Sequence, residues 1–190
     1  MGNVLRDLGK LQDAELSYRK AIELNPNYAE AHSNMGIILK DLGNLQEAEL
    51  STRKAIKLKP DMAEAHFNLG LILTTLGKLN EAEISIKKAI KIKDDLPDAH
   101  LNLGSILMEL GNLEEAESST LKAIQLNPDL AGSYQNISLL FYEKGKINLA
   151  IENIEKALSI DPNCKNYQLL LLIFRDKKRK ESEEISNPID

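Results

Sequence analysis

Apolar and small residues alternate with polar ones along this chain at helical spacing. Met35, Ile38, Leu39 and Leu42 fall at i, i+3, i+4 and i+7, which places them on one face of an α-helix. Leu45, Ala48, Thr52, Ala55 and Ile56 form a second face of the same kind. Gly43 separates the two and Pro60 follows the second. Glycine readily takes the left-handed conformation that ends a helix, and proline cannot continue a helical hydrogen-bond ladder. The pattern predicts two helices joined by a tight turn. Leu69, Ile72, Leu73, Leu76 and Gly77 begin the same arrangement again.

A longer period lies over the helical one. Gly9, Gly43, Gly77, Gly111 and Gly145 recur at one constant interval. Ala14, Ala48, Ala82, Ala116 and Ala150 keep the same interval, as do Ala21, Ala55, Ala89, Ala123 and Ala157. Pro26, Pro60, Pro128 and Pro162 share it, with Asp94 in the remaining place. Fixed self-similarity on this scale is the signature of stacked repeats. Gly36, Gly70 and Gly104 recur inside predicted helices, with Ser138 in the last unit. Glycine there costs roughly 0.5–1 kcal/mol relative to alanine, so its recurrence points to a steric need. The expected partner is the alanine of the following helix (Ala48, Ala82, Ala116), nested against the glycine.

The helix–turn–helix unit, about 34 residues long, resembles the tetratricopeptide repeat. The match rests on Asn-Met-Gly at 34–36, Asn-Leu-Gly at 68–70 and 102–104, and Leu-Gly at 42–43, 76–77 and 110–111. It rests also on Glu-Ala-Glu at 47–49, 81–83 and 115–117, and Lys-Ala-Ile at 20–22, 54–56, 88–90 and 122–124. The resemblance implies an all-α solenoid of antiparallel helix pairs wound into a right-handed superhelix. It covers residues 1–164 in units of about 1–28 (incomplete), 29–62, 63–96, 97–130 and 131–164. His32, His66, His100 and Tyr134 stand where the family often has tryptophan, and Pro97 opens a helix. Met1 falls partway into the first helix of its unit, so the true start is expected upstream, or the chain is expected to be a fragment of a longer protein. After Cys164 the period is expected to stop. Tyr167 to Phe174 then belong to a capping helix over 165–180, because the terminal face of a stack needs a cover. Residues 181–190 read as a disordered tail.

Composition narrows the function. The chain is 43% hydrophobic and 28% charged, has no Trp, and carries a net charge of −5. An acidic chain lacks the basic surface that phosphate neutralisation needs, so nucleic acid is not an expected partner. The longest apolar run, Leu169 to Phe174, is too short to span a bilayer, and the single Cys164 cannot form an internal disulfide. These features together predict a cytoplasmic protein without a membrane partner. His32, His66 and His100 lie on successive repeats, whose packed helices are about 8–10 Å apart. Zinc ligands sit about 2.0–2.1 Å from their ion. The rings therefore read as packing groups, and neither a metal nor a cofactor is expected. With no nucleophile–base pair and no phosphate-cradling glycine loop, the chain itself is not expected to be an enzyme.

Each first helix carries a second stripe. In the second unit it includes Glu30, Ser33, Asn34, Ile37 and Lys40; in the third, Glu64, Phe67, Asn68, Leu71 and Thr74. Asp98, Leu101 and Asn102 continue it, followed by Asn136. The resemblance implies that first helices line a concave ligand groove. Asn34, Asn68, Asn102 and Asn136 would form a ladder of carboxamides, which both donate and accept hydrogen bonds, with Phe67, Leu71 and Leu101 as apolar contacts. The ladder resembles that in the repeat arm of O-linked N-acetylglucosamine transferases. A protein or peptide segment is the expected ligand, and Glu30, Glu64 and Asp98 would favour a basic or neutral one. The same asparagines are also candidates for packing neighbouring first helices together. A second reading makes the chain the substrate-selecting arm of a larger glycosyltransferase or sulfotransferase; a third is weak self-association through the terminal repeats.

Overall fold

The computed structural model describes residues 9–186, which fold into ten helices and no strand. They are α1 (Leu11–Leu24), α2 (Ala29–Asp41), α3 (Leu45–Leu58), α4 (Ala63–Thr75), α5 (Leu79–Ile92), α6 (Pro97–Glu109), α7 (Leu113–Leu126), α8 (Ala131–Glu143), α9 (Ile147–Ile160) and α10 (Lys165–Ser186). The first-helix part of the opening unit lies outside the described residues. Two compact units result, residues 1–95 with α1–α5 and residues 96–190 with α6–α10. No described helix is long and apolar enough to cross a membrane.

The turns inside the hairpins follow from their glycines. Gly43 and Gly77 have φ of +84° and +72°. That conformation lets Asn44 N–H reach back to the Leu39 carbonyl at 2.8 Å, and Lys78 N–H to Leu73 at 2.9 Å, which satisfies carbonyls the helix end would otherwise leave open. The reversed chain then lays α3 on α2 and α5 on α4.

In the first unit α2 packs on α1 and α3, and the two first helices α2 and α4 also touch. Ile38, Leu39, Ile72 and Leu73 are fully buried between them with Ala48 and Ala82. A Cβ on Gly36 would stand 1.9 Å from Thr52 Oγ1 and 3.1 Å from the Ala48 carbonyl oxygen; on Gly70 it would stand 2.3 Å from Ile86 Cγ1. The expected alanine thus contributes its backbone, and the tighter contact is the residue one turn later. The reason is local: Thr52 turns its hydroxyl onto the Ala48 carbonyl at 2.9 Å, across the face the glycine meets.

The second unit repeats the plan with α6 on α7 and α8 on α9, and adds α10 against α9. Phe174 is buried there beside Ile154 and Ala157 and stacks on Tyr142, ring centroids 4.8 Å apart. The cap expected from the apolar run is therefore present, with two differences. The period does not stop at Cys164. Phe174 stands one full repeat interval after Leu140, and Lys165 opens α10 one interval after Ala131 opens α8. Gln168, in the place of Tyr134, donates its amide to the Pro162 carbonyl at 2.9 Å. The cap is a first helix in register. It also runs on to Ser186, through part of the segment expected to be a disordered tail. Lys180 pairs with Asp176 at 2.8 Å and Lys177 with Glu181 at 3.4 Å, the one-turn spacing that supports an exposed helix. Residues 187–190 lie outside the described residues.

Candidate functional site

The site residues expected from the sequence fall on the first helices. In the first unit these are Glu30 and Asn34 on α2, and Glu64, Phe67, Asn68 and Leu71 on α4. Asp98, Leu101 and Asn102 on α6 and Asn136 on α8 belong to the second unit. Helix geometry puts Phe67, Asn68 and Leu71 on one side of α4, since residues three and four apart are surface neighbours. Contact between α2 and α4 brings Asn34 onto the same packed pair.

The four asparagines have separate surroundings. Asn68 is half-buried and its amide nitrogen donates to Ser33 Oγ on α2 at 3.0 Å. Ser33 is itself buried, so the bond ties α4 to α2. Among the described residues nothing donates to Asn68 Oδ1, and the half-buried Asn34 side chain has no hydrogen-bond partner. Asn34 lines a cavity of about 480 Å³ together with Tyr18, Tyr28 and Ala31.

In the second unit the amides are engaged internally. Asn102 donates to the Asp98 carbonyl of its own helix at 2.7 Å. Asn136 is buried and donates to Ser105 Oγ at 2.8 Å, joining α8 to α6. Leu101 packs toward Gly132, where a Cβ would lie 3.2 Å from Leu101 Cδ2. Asn34 thus stands apart: the amide nitrogens of Asn68, Asn102 and Asn136 are each engaged, and among the described residues nothing donates to their Oδ1 atoms.

The acidic edge is partly neutralised. Glu30 pairs with Lys59 at 3.1 Å. The backbone N–H at its own helix start, and then Lys59, hold its carboxyl below the usual carboxylate range. Glu64 and Asp98 are exposed. Lys40, the one cation of the stripe in α2, pairs with Asp41 at 2.8 Å.

The histidines hold turns. His32 Nε2 lies 3.0 Å from the Pro26 carbonyl oxygen and His66 Nε2 2.9 Å from that of Pro60. A carbonyl only accepts, so each ring donates from Nε2. These two rings thus have a structural role, through hydrogen bonds to the turn carbonyls. Among the described residues no group of three or more metal-capable side chains comes together.

One periodic series was not among the expected site residues. Leu16, Leu50 and Ile84 recur at the repeat interval on second helices and are 69%, 70% and 69% exposed. Their period was visible in the sequence; their exposure depends on how far second helices of successive hairpins are covered by one another.

Family profiles match almost the whole repeat region. A profile described as "TPR repeat" matches residues 2–43, and profiles described as "Tetratricopeptide repeat" match 29–62, 63–96, 97–130 and 131–164. Comparison with curated proteins finds no match. Among solved structures, MamA is 26% identical, with 85% of this chain and 95% of that chain covered and a TM-score of 0.74. YrrB, described as a TPR protein with an unusual peptide-binding site, is 24% identical over 92% and 88% of the two chains, with a TM-score of 0.72. PilF of Pseudomonas aeruginosa is 19% identical over 97% and 84%, with a TM-score of 0.84.

Proposed function

Because the chain belongs to the tetratricopeptide-repeat family, we propose that it is a protein-interaction scaffold whose first helices hold an extended peptide segment. The observation that carries the reading is the free polar capacity at Asn34 and Asn68 Oδ1, set beside the half-buried Phe67 and Leu71 on packed helices α2 and α4. A peptide backbone offers one donor and one acceptor per residue. Asn34 can answer both, and Asn68 Oδ1 can accept, whatever the ligand's side chains. Phe67 and Leu71 supply apolar contact between them, the mixture of an apolar surface with a few placed polar groups found in ligand sites. YrrB supports the fold alone; the residues of this chain supply the site.

Binding without covalent chemistry follows from that arrangement, in a cytoplasmic scaffold whose partner is a protein rather than nucleic acid or membrane. Asp98, Leu101, Asn102 and Asn136 form a separate strip on the first helices of the second unit, where the amide nitrogens of Asn102 and Asn136 have internal partners. Self-association is a minor mode beside peptide binding. The test is selection of peptides from a random display library on the full chain. Selected peptides should lose at least roughly tenfold in affinity, about 1.4 kcal/mol, for folded Asn34→Ala/Leu71→Ala. Equal affinity for that variant would refute the assignment.

A further inference from the structure

The first unit has another recess, made by second helices and one side of α4, and sharing no residue with the asparagine stripe. Ile56 and Lys57 of α3, Leu69 of α4, and Ile84 and Lys88 of α5 line a cavity of about 420 Å³, with Arg53 at its side. That volume lies within the roughly 300–1,000 Å³ of ligand pockets. Ile84 is exposed beside it, so the apolar wall extends to the surface.

The repeat supplies an internal comparison. One unit earlier, Ile22, Met35 and Leu50 line a cavity of the same volume, about 420 Å³, with Arg19 and Lys54 at the places of Arg53 and Lys88. Shape and apolar character are therefore shared. Charge differs at one place: the earlier cavity is lined by Glu23, whereas Glu47 and its counterpart Glu81 pair alike with Arg19 and Arg53, at 2.8 Å each. In the later one Lys57 takes the place of Glu23, and the charged residues lining it are all cations. Arg53 is engaged by Glu49 and Glu81, at 2.9 and 2.8 Å. Among the described residues neither Lys57 nor Lys88 has an ion-pair partner, and both are exposed. A chain of net charge −5 thus carries an apolar recess bordered by two uncompensated ammonium groups.

We infer that this recess docks an acidic protein segment in which a large apolar side chain is flanked by carboxylates. The apolar side chain enters among Ile56, Leu69 and Ile84, and the carboxylates meet Lys57 and Lys88. Charge complementarity at such a rim chiefly sets partner choice and encounter rate, so the later recess selects the acidic segment and the earlier one does not. An inorganic anion would leave the apolar wall unfilled. This partner is distinct from the peptide on the first helices, and both can be held at once.

The test uses the full chain, methyl-labelled at isoleucine and leucine, with two hexapeptides. One has leucine and phenylalanine between two pairs of acidic residues; the other has lysines in place of the acids. The acidic probe is expected to shift the Ile56 and Ile84 methyls in a saturable way, to weaken as salt is raised, and to bind roughly tenfold less well to Lys57→Glu. Glu23→Lys is expected to bring Leu50 methyl shifts as a second site forms. The inference is overturned if both probes bind alike, if Lys57→Glu binds as well as the parent, or if inorganic phosphate alone gives the same shifts. Lys57 is exposed and without an ion-pair partner among the described residues, so circular dichroism of the variant should match the parent.

Discussion

Asn68 donates its amide to the hydroxyl of Ser33, 35 residues earlier, at 3.0 Å. Its nitrogen holds α4 on α2, and among the described residues nothing donates to its oxygen. Asn68→Ala should destabilise the protein by about 1–3 kcal/mol, because it leaves the buried Ser33 hydroxyl unpaired. Asn68→Ala/Ser33→Ala should recover part of the loss, since both polar groups are then gone. Urea unfolding of the three variants measures this.

Gly70→Ala tests the packing of the hairpin. Helix propensity alone favours alanine by roughly 0.8–1 kcal/mol. The new Cβ, however, would stand 2.3 Å from Cγ1 of the fully buried Ile86. Overpacking of this kind costs about 1–3 kcal/mol and should win, so the midpoint of thermal unfolding should fall. Gly77→Ala meets no atom within 4 Å but starts from φ +72°. Its expected cost of about 1–2 kcal/mol is purely conformational.

Phe174→Ala removes the side chain through which α10 closes the second unit. It is buried and stacked on Tyr142, and such truncations cost about 3–5 kcal/mol. Leu172→Ala, at a side chain 65% exposed on the same helix, should change stability by no more than about 0.5 kcal/mol. Denaturant titration of the pair separates a structural cap from an incidental helix.

Glu49 gives the stability a predictable dependence on pH. Lys78 at 2.9 Å, and then Arg53, hold its carboxyl below the ordinary value of 4.5. A carboxylate with a depressed folded pKa contributes stability that is present above about pH 4.5 and is lost as pH falls through its folded value. Lys78→Gln should therefore lower stability at about pH 6 and change it less at about pH 3. Unfolding free energies of parent and variant at the two pH values check the sign.

Much of this fold was legible from spacing. Ile38, Leu39, Ile72 and Leu73 are buried where the helical period placed them, and Gly43 and Gly77 carry the positive φ their positions required. The glycine contacts were harder to read. Ala48 recurs at the right place, yet the group that crowds Gly36 is Thr52, and that depends on a side-chain rotamer fixed by the Ala48 carbonyl. The register of α10 was hidden because Tyr167 and Gln168 replace the serine and tyrosine of the preceding unit; Pro162 and Phe174 were the surviving signals.

The asparagine ladder was the least legible part. The four residues share a period, but their partners do not: Asn68 meets a serine 35 residues back, Asn136 one 31 back, and Asn102 its own helix. Spacing tells where a carboxamide stands on a helix. Whether it is left for a ligand depends on which hydroxyl the neighbouring helix happens to present.

The most direct measurement is a side-chain amide and methyl NMR titration of the full chain with a display-selected peptide. Saturable shifts at the Asn34 and Asn68 amides and the Leu71 methyls, with Ile84 unmoved, are the predicted result. Tight binding of selected peptides that leaves Asn34, Asn68 and Leu71 unshifted would contradict it.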